Sequence, residues 1–425
     1  MLCLLRKRSF SCSSRHSLRL ATSAALLPTS QTRGTHLEPQ YLEKLVTISQ
    51  RLQKYVKGLR WPRLRHLELG SVYYELPLSS WRVDMSAFSQ LLPEAGLEYL
   101  AGFFDGDGYV GAHTSLSGCT LSVGQSVCGQ EVLLAFLRVF GGTVRVLSHG
   151  KGCKRPCLQW QIHGKKSGLA AQLLQEHCVV KKEQLSIAAT WPSNTLERIH
   201  CSSRLAELKK RPLCPPKTAR LSWSYVAGFF DAEGCIKVCA ISKSVKLELS
   251  QKDPAVLLSI KSFLQSETGS HQVSGPHGVS CKYIMASGFI AVTRILQQLL
   301  VHGLLVKRVT ASNVLASMLF RASHAELRKT GFSNKGNQKR YARLDAAGCE
   351  RARQIKVLQT SLQNSHGGCE RSETLKSQLV TMQLEHKIAS TQSRIQLLRA
   401  DIASIQRMFL EDSSGNGFGP ASDLQ

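Results

Sequence analysis

Apolar and polar residues alternate along two neighbouring stretches in the first half of the chain, 109–114 and 119–125. This period of two predicts β-strands, and the break at Ser117-Gly118 predicts the turn of a β-hairpin between them. Residues 131–140 instead place apolar side chains three and four apart, which predicts a helix. A second predicted hairpin then follows, formed by 143–147 and 157–163, and after it comes a further helical stretch.

The same order of elements returns in the second half of the chain. Its predicted hairpins are 235–242 with 245–251 and 271–273 with 280–286, and its predicted helix is 254–264. Each half is therefore predicted to be α-β-β-α-β-β-α. The fold class predicted is α+β, with two pseudo-symmetric repeats whose hairpins form a saddle-shaped sheet.

A nine-residue segment opens each of these halves. It reads LAGFFDGDG at Leu100–Gly108 and VAGFFDAEG at Val226–Gly234, 126 residues further along. Two other pairs of residues keep this offset, one at the ends of predicted strands and one after the last helical stretch: Gln125 with Gln251, and Lys181 with Lys307. Three landmarks that share one spacing indicate an internal duplication.

Each nonamer is typical of the last turns of a helix, because Gly108 and Gly234 are expected to stop the helix directly after an acid. The acids are Asp107 and Glu233. A carboxylate at a helix C-terminus is unfavourable against the helix dipole unless a cation compensates it. The pattern therefore predicts a metal there, and two hard oxygen ligands close to phosphate suit Mg²⁺ or another divalent ion.

The pairs Ala101-Gly102 and Ala227-Gly228 leave almost no side chain on one face of each predicted helix. Two such helices can approach each other closely, and a pseudo-two-fold axis between them would bring both terminal acids together. The hairpins would then lie along a duplex, with their exposed side chains in the major groove.

On these motifs the chain resembles the LAGLIDADG homing endonucleases, in the form with two repeats in one chain, over residues 94–320. The resemblance implies that Asp107 and Glu233 bind the catalytic metals, and that both strands of DNA are cut across the minor groove. It also implies active-site positions that order water and phosphate, at Gln125, Gln251, Lys181 and Lys307. The chain departs from the common pattern in pairing a Glu with an Asp and in starting its second motif with Val226. Asp105 and Asp231 are expected to be helix-end acids that do not bind metal.

Composition agrees with a nucleic-acid partner. The chain has 55 Lys and Arg against 29 Asp and Glu, a formal charge of +26 and a pI of about 9.8, which predicts a polyanionic partner. A run of about 18 apolar residues would be needed to span a membrane, and the sequence has none, so no membrane role is predicted. The 14 cysteines are scattered without a CxxC pair and are interpreted as free thiols rather than zinc ligands.

The regions outside the repeats are basic. Residues 1–36 have the composition of an organelle transit peptide, for a mitochondrion or plastid, with a disordered basic arm as the alternative. An amphipathic helix is expected over 41–60 and an irregular connection over 61–94. Residues 335–371 are basic enough to contact phosphates, although a solvated helix face fits them equally. Apolar residues at four- and three-residue steps from Leu384 predict a short coiled coil that folds back on the body or pairs with another chain.

The predicted division of the chain is therefore as follows: transit peptide or basic arm 1–36, N-terminal helical extension 37–93, first repeat 94–210, linker 211–220, second repeat 221–320, basic helical and coiled-coil-like extension 321–412, and disordered tail 413–425. The function predicted is site-specific cleavage of double-stranded DNA with a divalent metal, in an organelle. One alternative stays open: an intron RNA splicing factor, or maturase, that binds without cutting. A purely structural DNA-binding protein would be indicated by loss of one of the two acids, and both are present.

Overall fold

Most of the chain from residue 39 onward has a defined place in the computed structural model. The residues described are 39–69, 72–84, 95–113, 117–152, 154–210, 221–238, 244–252, 254–279, 281–319, 341, 344–364 and 370–413. The predicted transit peptide, the predicted linker and residues 414–425 of the predicted tail lie outside them, as do Lys339, Arg340 and Arg343 of the basic stretch.

The N-terminal extension holds more than the expected helix. Helix α1 spans Pro39–Gly58, and short strands follow it: β1 (His66–Leu69), β2 (Val72–Glu75) and β3 (Leu78–Ser79). Strands β1 and β2 pair with each other, whereas β3 pairs with a strand of the first repeat. The expectation of an irregular connection over 61–94 was therefore wrong for this part. Strands of two to four residues are too short to produce a clear periodic signal.

The first repeat consists of α2 (Leu97–Asp107), β4 (Gly108–Gly111), β5 (Thr120–Ser126), α3 (Gln130–Phe140), β6 (Thr143–Ser148), β7 (Cys157–Ile162), α4 (Lys165–His177), α5 (Lys182–Ala189) and α6 (Thr195–Leu208). The second consists of α7 (Trp223–Glu233), β8 (Gly234–Val238), β9 (Val245–Gln251), α8 (Pro254–Thr268), β10 (Val273–His277), β11 (Lys282–Ala286), α9 (Phe289–Val301) and α10 (Arg308–Leu319). The predicted α+β class and the doubled order of elements are confirmed.

After its second hairpin each repeat has a broken helical stretch where the sequence predicted one helix, and the first repeat continues into a third helix, α6. The break between α4 and α5 falls at 178–181, and the break between α9 and α10 falls at 302–307. Both breaks contain the basic step that carries Lys181 or Lys307. In each break the backbone turns toward a buried acid of the preceding motif helix, as described below.

Each repeat forms its own antiparallel sheet. The strand order is β3-β6-β7-β5-β4 in the first repeat and β10-β11-β9-β8 in the second. The strand that follows the motif helix therefore lies at one edge of each sheet. Apolar residues of alternate positions, such as Leu121, Trp160 and Leu249, are buried with the helices, and polar residues occupy the opposite face.

The C-terminal extension folds back on the N-terminal one. Helix α11 spans Ala346–Asn364 and α12 spans Glu370–Ser413; α12 packs on both α1 and α11. The predicted heptad residues Ile388 and Ile395 are buried with Leu45 of α1. Of the two alternatives predicted for the heptad segment, the structure therefore shows the one in which it packs within its own chain. Within the described residues, no helix is long and apolar enough to cross a membrane.

Candidate functional site

The two motif helices, α2 and α7, pack closely enough to exclude any side chain at two positions. A Cβ atom on Gly102 would lie 2.0 Å from the carbonyl oxygen of Tyr225, and one on Gly228 would lie 1.9 Å from that of Tyr99. These contacts are related by exchange of the repeats, as a pseudo-two-fold axis requires. The small-residue faces predicted from the sequence thus form the seam between the repeats.

The seam ends with the two motif acids. A Cβ on Gly106 would lie 2.4 Å from Cβ of Ala232 and 3.1 Å from Cγ of Glu233, so the last turns of the two helices remain in contact. Asp107 and Glu233 are the final residues of their helices. The predicted convergence of the two carboxylates is consistent with this packing and with their electrostatic interaction.

The glycines after the acids serve a different purpose from the one expected. Gly108 and Gly234 have extended backbones, with φ of −75° and −78°, rather than the left-handed conformation of a glycine cap. A Cβ on either would lie 2.4 Å from the carbonyl oxygen of the phenylalanine four residues earlier. The motif therefore needs glycine there because the strand leaves the helix directly over its last turn.

The pKa values of both motif acids are raised, so their ionised forms are disfavoured in the absence of a cation. Part of the Asp107 residue is exposed to solvent, but protein atoms surround its carboxyl group. This desolvation, together with the negative charge of Glu233, raises the pKa of Asp107 from 3.8 to about 6. Burial also raises the pKa of Glu233, while Lys181 and Lys307 oppose the rise. A divalent cation held by Asp107 and Glu233 would favour the carboxylate form of both.

The donor set fits Mg²⁺ better than it fits a caged structural ion. In the described part of the chain, no cluster of three or more His, Cys, Asp or Glu side chains is suited to hold a metal. An ion here would have Asp107 and Glu233 as protein ligands. Mg²⁺ usually binds one or two carboxylates and completes its shell with water and phosphate oxygens.

The two predicted lysines lie at the ends of the motif helices. Lys181 Nζ donates to the carbonyl oxygens of Phe104, Asp105 and Gly106, at 2.8, 2.6 and 3.2 Å, and Lys307 Nζ donates to that of Asp231. Each cation thus compensates the negative end of one helix. Burial lowers the pKa of both ammonium groups, while nearby acids that include Asp107 and Glu233 oppose this change.

The other acid of each motif, Asp105 or Asp231, is buried and binds three backbone amides of a later segment. We call this arrangement a clamp, and the sequence did not predict it. Asp105 accepts hydrogen bonds from the backbone amides of Val179, Val180 and Lys181, at 2.6, 2.9 and 2.8 Å. Asp231 accepts from the amides of 305–307 in the same way, at 2.7, 3.0 and 2.8 Å. These acids were expected to be helix-end residues outside the metal site; in the structure they fix the backbone that carries each lysine.

A tyrosine from the opposite repeat completes each clamp. Tyr225 Oη donates to Asp105 at 2.7 Å, and Tyr99 Oη donates to Asp231 at 2.6 Å. Tyr99 and Tyr225 are also 126 residues apart. This shared offset was the signal in the sequence that would have identified them. Because each bond crosses the seam, the position of each lysine depends on both repeats.

The two predicted glutamines lie at strand ends, and each accepts a hydrogen bond from the backbone amide of the next residue, which for Gln251 is Lys252 at 2.8 Å. Gln251 also contacts an acid. Gln251 Nε2 donates to Glu233 Oε1 at 3.4 Å. Gln125 Oε1 accepts from the amide of Ser126 at 2.8 Å. A Cβ on Gly129 would lie 2.9 Å from Cγ of Gln125 and 3.2 Å from a methyl group of Val306, so this strand end adjoins the lysine step of the second repeat.

The sheet faces opposite the helices are lined by polar groups. In the first repeat the exposed Tyr109 and the half-buried Gln161 flank Ser122, which is itself buried, and Arg145 donates to Oε1 of Gln159 at 3.0 Å in the next row. In the second repeat Lys237 forms an ion pair with Glu248 on the adjacent strand. Such rows of donors and acceptors can read base edges in a groove.

No protein-family model matches the chain, and no curated protein sequence matches it. Among solved structures, I-SmaMI bound to an uncleaved DNA target in the presence of calcium ions is 15% identical and has a TM-score of 0.43, over 57% of this chain and 100% of that one. I-GzeII in complex with its DNA target is 14% identical with a TM-score of 0.43, over 58% and 100%. I-AabMI bound to uncleaved DNA is 14% identical with a TM-score of 0.43, over 56% and 99%. All three are LAGLIDADG endonucleases, and the two motifs of this chain resemble that family.

Proposed function

We propose that this protein is a divalent-metal-dependent endonuclease that cuts both strands of a DNA duplex at a specific site. The observation that carries the proposal is the pair of acids, Asp107 and Glu233, at adjoining ends of two helices related by a pseudo-two-fold axis. One acid per repeat matches a duplex, whose two strands present one scissile phosphate each.

Each residue of the site has a proposed task. Asp107 and Glu233 hold the metal, whose chemistry when bound is to activate the attacking water and to neutralise charge on the leaving oxygen. Lys181 and Lys307 place positive charge beside the reacting phosphates. Gln251 orients Glu233 through its hydrogen bond, and Gln125 is proposed to order water at the equivalent strand end.

Binding of the duplex is assigned to the two polar sheet faces. The edge strand of each sheet begins directly after Asp107 or Glu233, so a duplex along the two sheets passes the acids. The formal charge of +26 supplies the attraction to a polyanion. Which bases are read depends on side chains such as Arg145, Gln159 and Gln161.

The first test is incubation of the full chain with organelle DNA and with a randomised duplex library, with and without Mg²⁺, followed by sequencing of new ends. We expect discrete cuts that require Mg²⁺. Asp107→Asn and Glu233→Gln should abolish cutting and leave binding, because both substitutions remove a ligand charge and keep the side-chain shape. Glu176→Gln, at an exposed acid of α4, is the charge-matched control. Unchanged cutting by both site variants would refute the assignment.

A second candidate function is that of an intron RNA splicing factor on the same scaffold. The basic extensions outside the repeats favour it, because cleavage of DNA does not by itself require them. The same experiment separates the two functions. Absence of cuts, with tight retention of organelle intron RNA, would favour the splicing factor.

Organelle targeting by residues 1–36 and association with another chain through the C-terminal helix stay predictions. The first is checked by fusing residues 1–36 to a fluorescent protein and locating it in cells.

A further inference from the structure

The end of helix α1 is joined to the loop between β6 and β7 of the first repeat. Trp61 Nε1 donates to the carbonyl oxygen of Gly152 at 2.7 Å, and the amide of Gly152 donates to the carbonyl oxygen of Leu59 at 2.7 Å. An isolated β-bridge pairs Arg60 with Lys151 beside these bonds. The N-terminal extension and the sheet of the first repeat therefore share one continuous surface.

This surface concentrates positive charge without any acid. Residues 51–65 contain six Lys and Arg, and 145–157 contain four, with no Asp or Glu in either segment. We name as the basic junction five exposed cations near the joint: Lys57, Arg60, Arg63, Lys151 and Lys154. None of them forms an ion pair among the described residues. Unneutralised cations held together favour a polyanion.

The strand register places the basic junction at the same end of the sheet as the candidate site. Gln125 pairs with Leu158, and Cys157 pairs with both Ser126 and Ser148. The loop that follows Ser148 therefore lies beyond the strand ends near Gln125. The amide of Val127 donates to the carbonyl oxygen of Pro156 at 3.0 Å, which ties the loop to that end.

Close packing fixes the backbone at the basic junction. Gly152 has φ of +60°, and a Cβ there would lie 2.9 Å from the carbonyl oxygen of Val56, so the loop and the helix end fit closely. Trp61 is buried against Ile405 and Met408 of α12. Both terminal extensions thus contribute to fixing the backbone that carries the basic side chains.

The second repeat has fewer basic residues at the matching position. An offset of 126 residues places His277 and Ser280 opposite Lys151 and Lys154, and residues 271–283 contain one Lys, Lys282, against four Lys and Arg in 145–157. The charge at this position is therefore concentrated in the first repeat.

We propose that the basic junction binds backbone phosphates of duplex DNA beyond the part held by the two sheets, on the side of the first repeat only. The partner class rests on the proposed function, whereas the phosphate chemistry rests on the junction itself. Phosphate contacts of this kind position a duplex and add affinity without reading sequence.

The test compares Lys151→Gln/Lys154→Gln with Lys165→Gln/Lys166→Gln, an equal loss of charge at exposed residues of α4, beyond the opposite end of β7. Binding of the full chain to duplex DNA is measured by fluorescence anisotropy in EDTA over a range of salt concentrations. If two phosphate contacts are lost, the slope of log affinity against log salt falls by about 1.8, and affinity falls roughly 30-fold at about 0.15 M salt. The α4 control should keep the wild-type slope.

An unchanged slope in the junction variant, or an equal change in the control, would overturn the proposal. So would a change seen only with an RNA duplex of the same length. Cleavage at saturating DNA should stay at the wild-type rate, because neither lysine touches the acids. If wild type binds DNA but never cuts it, the endonuclease function fails while the salt slopes still decide the junction.

Discussion

At the scale of single residues, the two motif acids lie in a setting that disfavours their ionised forms. Asp107 has a pKa of about 6 because its carboxyl group is desolvated and lies near Glu233. The folded chain therefore holds this proton more tightly than the unfolded chain does. Stability contributed by the protonated form is lost as pH rises from about 4 through about 6, so ionised Asp107 opposes folding at neutral pH in the absence of metal.

Asp107→Asn should therefore unfold at a higher temperature than wild type at pH 7.5 in EDTA, by the loss of this charge. The two proteins should converge toward pH 4, where Asp107 is protonated. Thermal unfolding followed by circular dichroism measures both. Mg²⁺ should raise the midpoint of wild type more than that of the variant. Equal unfolding temperatures for wild type and Asp107→Asn at both pH values in EDTA would contradict a raised pKa of Asp107.

At the scale of elements, the seam between α2 and α7 decides where the acids lie. The helices contact each other through backbone at Gly102 and Gly228, and a clash with a carbonyl oxygen is relieved only by moving a helix. The tyrosine bonds to Asp105 and Asp231 cross this same seam. A small separation of the helices therefore disturbs the acids and the lysine steps together.

Gly102→Ala should lower the free energy of unfolding by about 1–3 kcal/mol or more, because the new methyl group overpacks the seam. Urea denaturation measures this loss. Gly168→Ala in α4 is the matched control: its Cβ would have ordinary contacts, with the nearest atom at 3.5 Å. That change should raise stability by about 0.5–1 kcal/mol through the higher helix propensity of alanine. Equal effects at both positions would show that the seam is loose.

At the scale of the whole molecule, the two terminal extensions form one support for the first repeat. Helix α12 buries Ile405 against Trp61, and Trp61 in turn bonds to the β6–β7 loop. The extensions add a one-sided layer to an otherwise duplicated body. Helices α1 and α12 can open locally while the repeats stay folded, because their buried apolar residues form clusters separate from the main core.

Ile405→Ala should speed amide hydrogen exchange in residues 51–61 and leave exchange in α2 and α7 unchanged. The variant leaves a cavity beside Trp61, and core truncations of this kind cost about 2–5 kcal/mol. Val380→Ala, at a position 64% exposed on the same helix, is the control and should leave exchange as in wild type. Unchanged protection around Trp61 in the Ile405 variant would mean that α12 does not support the junction.

Much of this architecture was accessible from local patterns and from one repeated offset. Strands β5 and β9, helices α3 and α8, and the helix ends at Asp107 and Glu233 follow from periodicity and from the doubled nonamer. The small-residue faces predicted the seam as well. Periodicity predicts these elements because each of them buries one face against its own repeat. That burial requires apolar residues at regular spacing in the sequence.

Other features depended on contacts between distant residues. Asp105 and Asp231 bind amides about 75 positions later in the chain and tyrosines of the opposite repeat, and no local pattern distinguishes such acids from exposed ones. Strand β3 has two residues and is stabilised by its partner β6. The pairing of α12 with α1 joins the two ends of the described chain. The sequence by itself determined the repeats and their acids, because both follow from the spacing of residues along the chain. Tertiary structure decided the clamps, the added strand β3 and the basic junction, because each forms only when segments distant in the sequence come into contact.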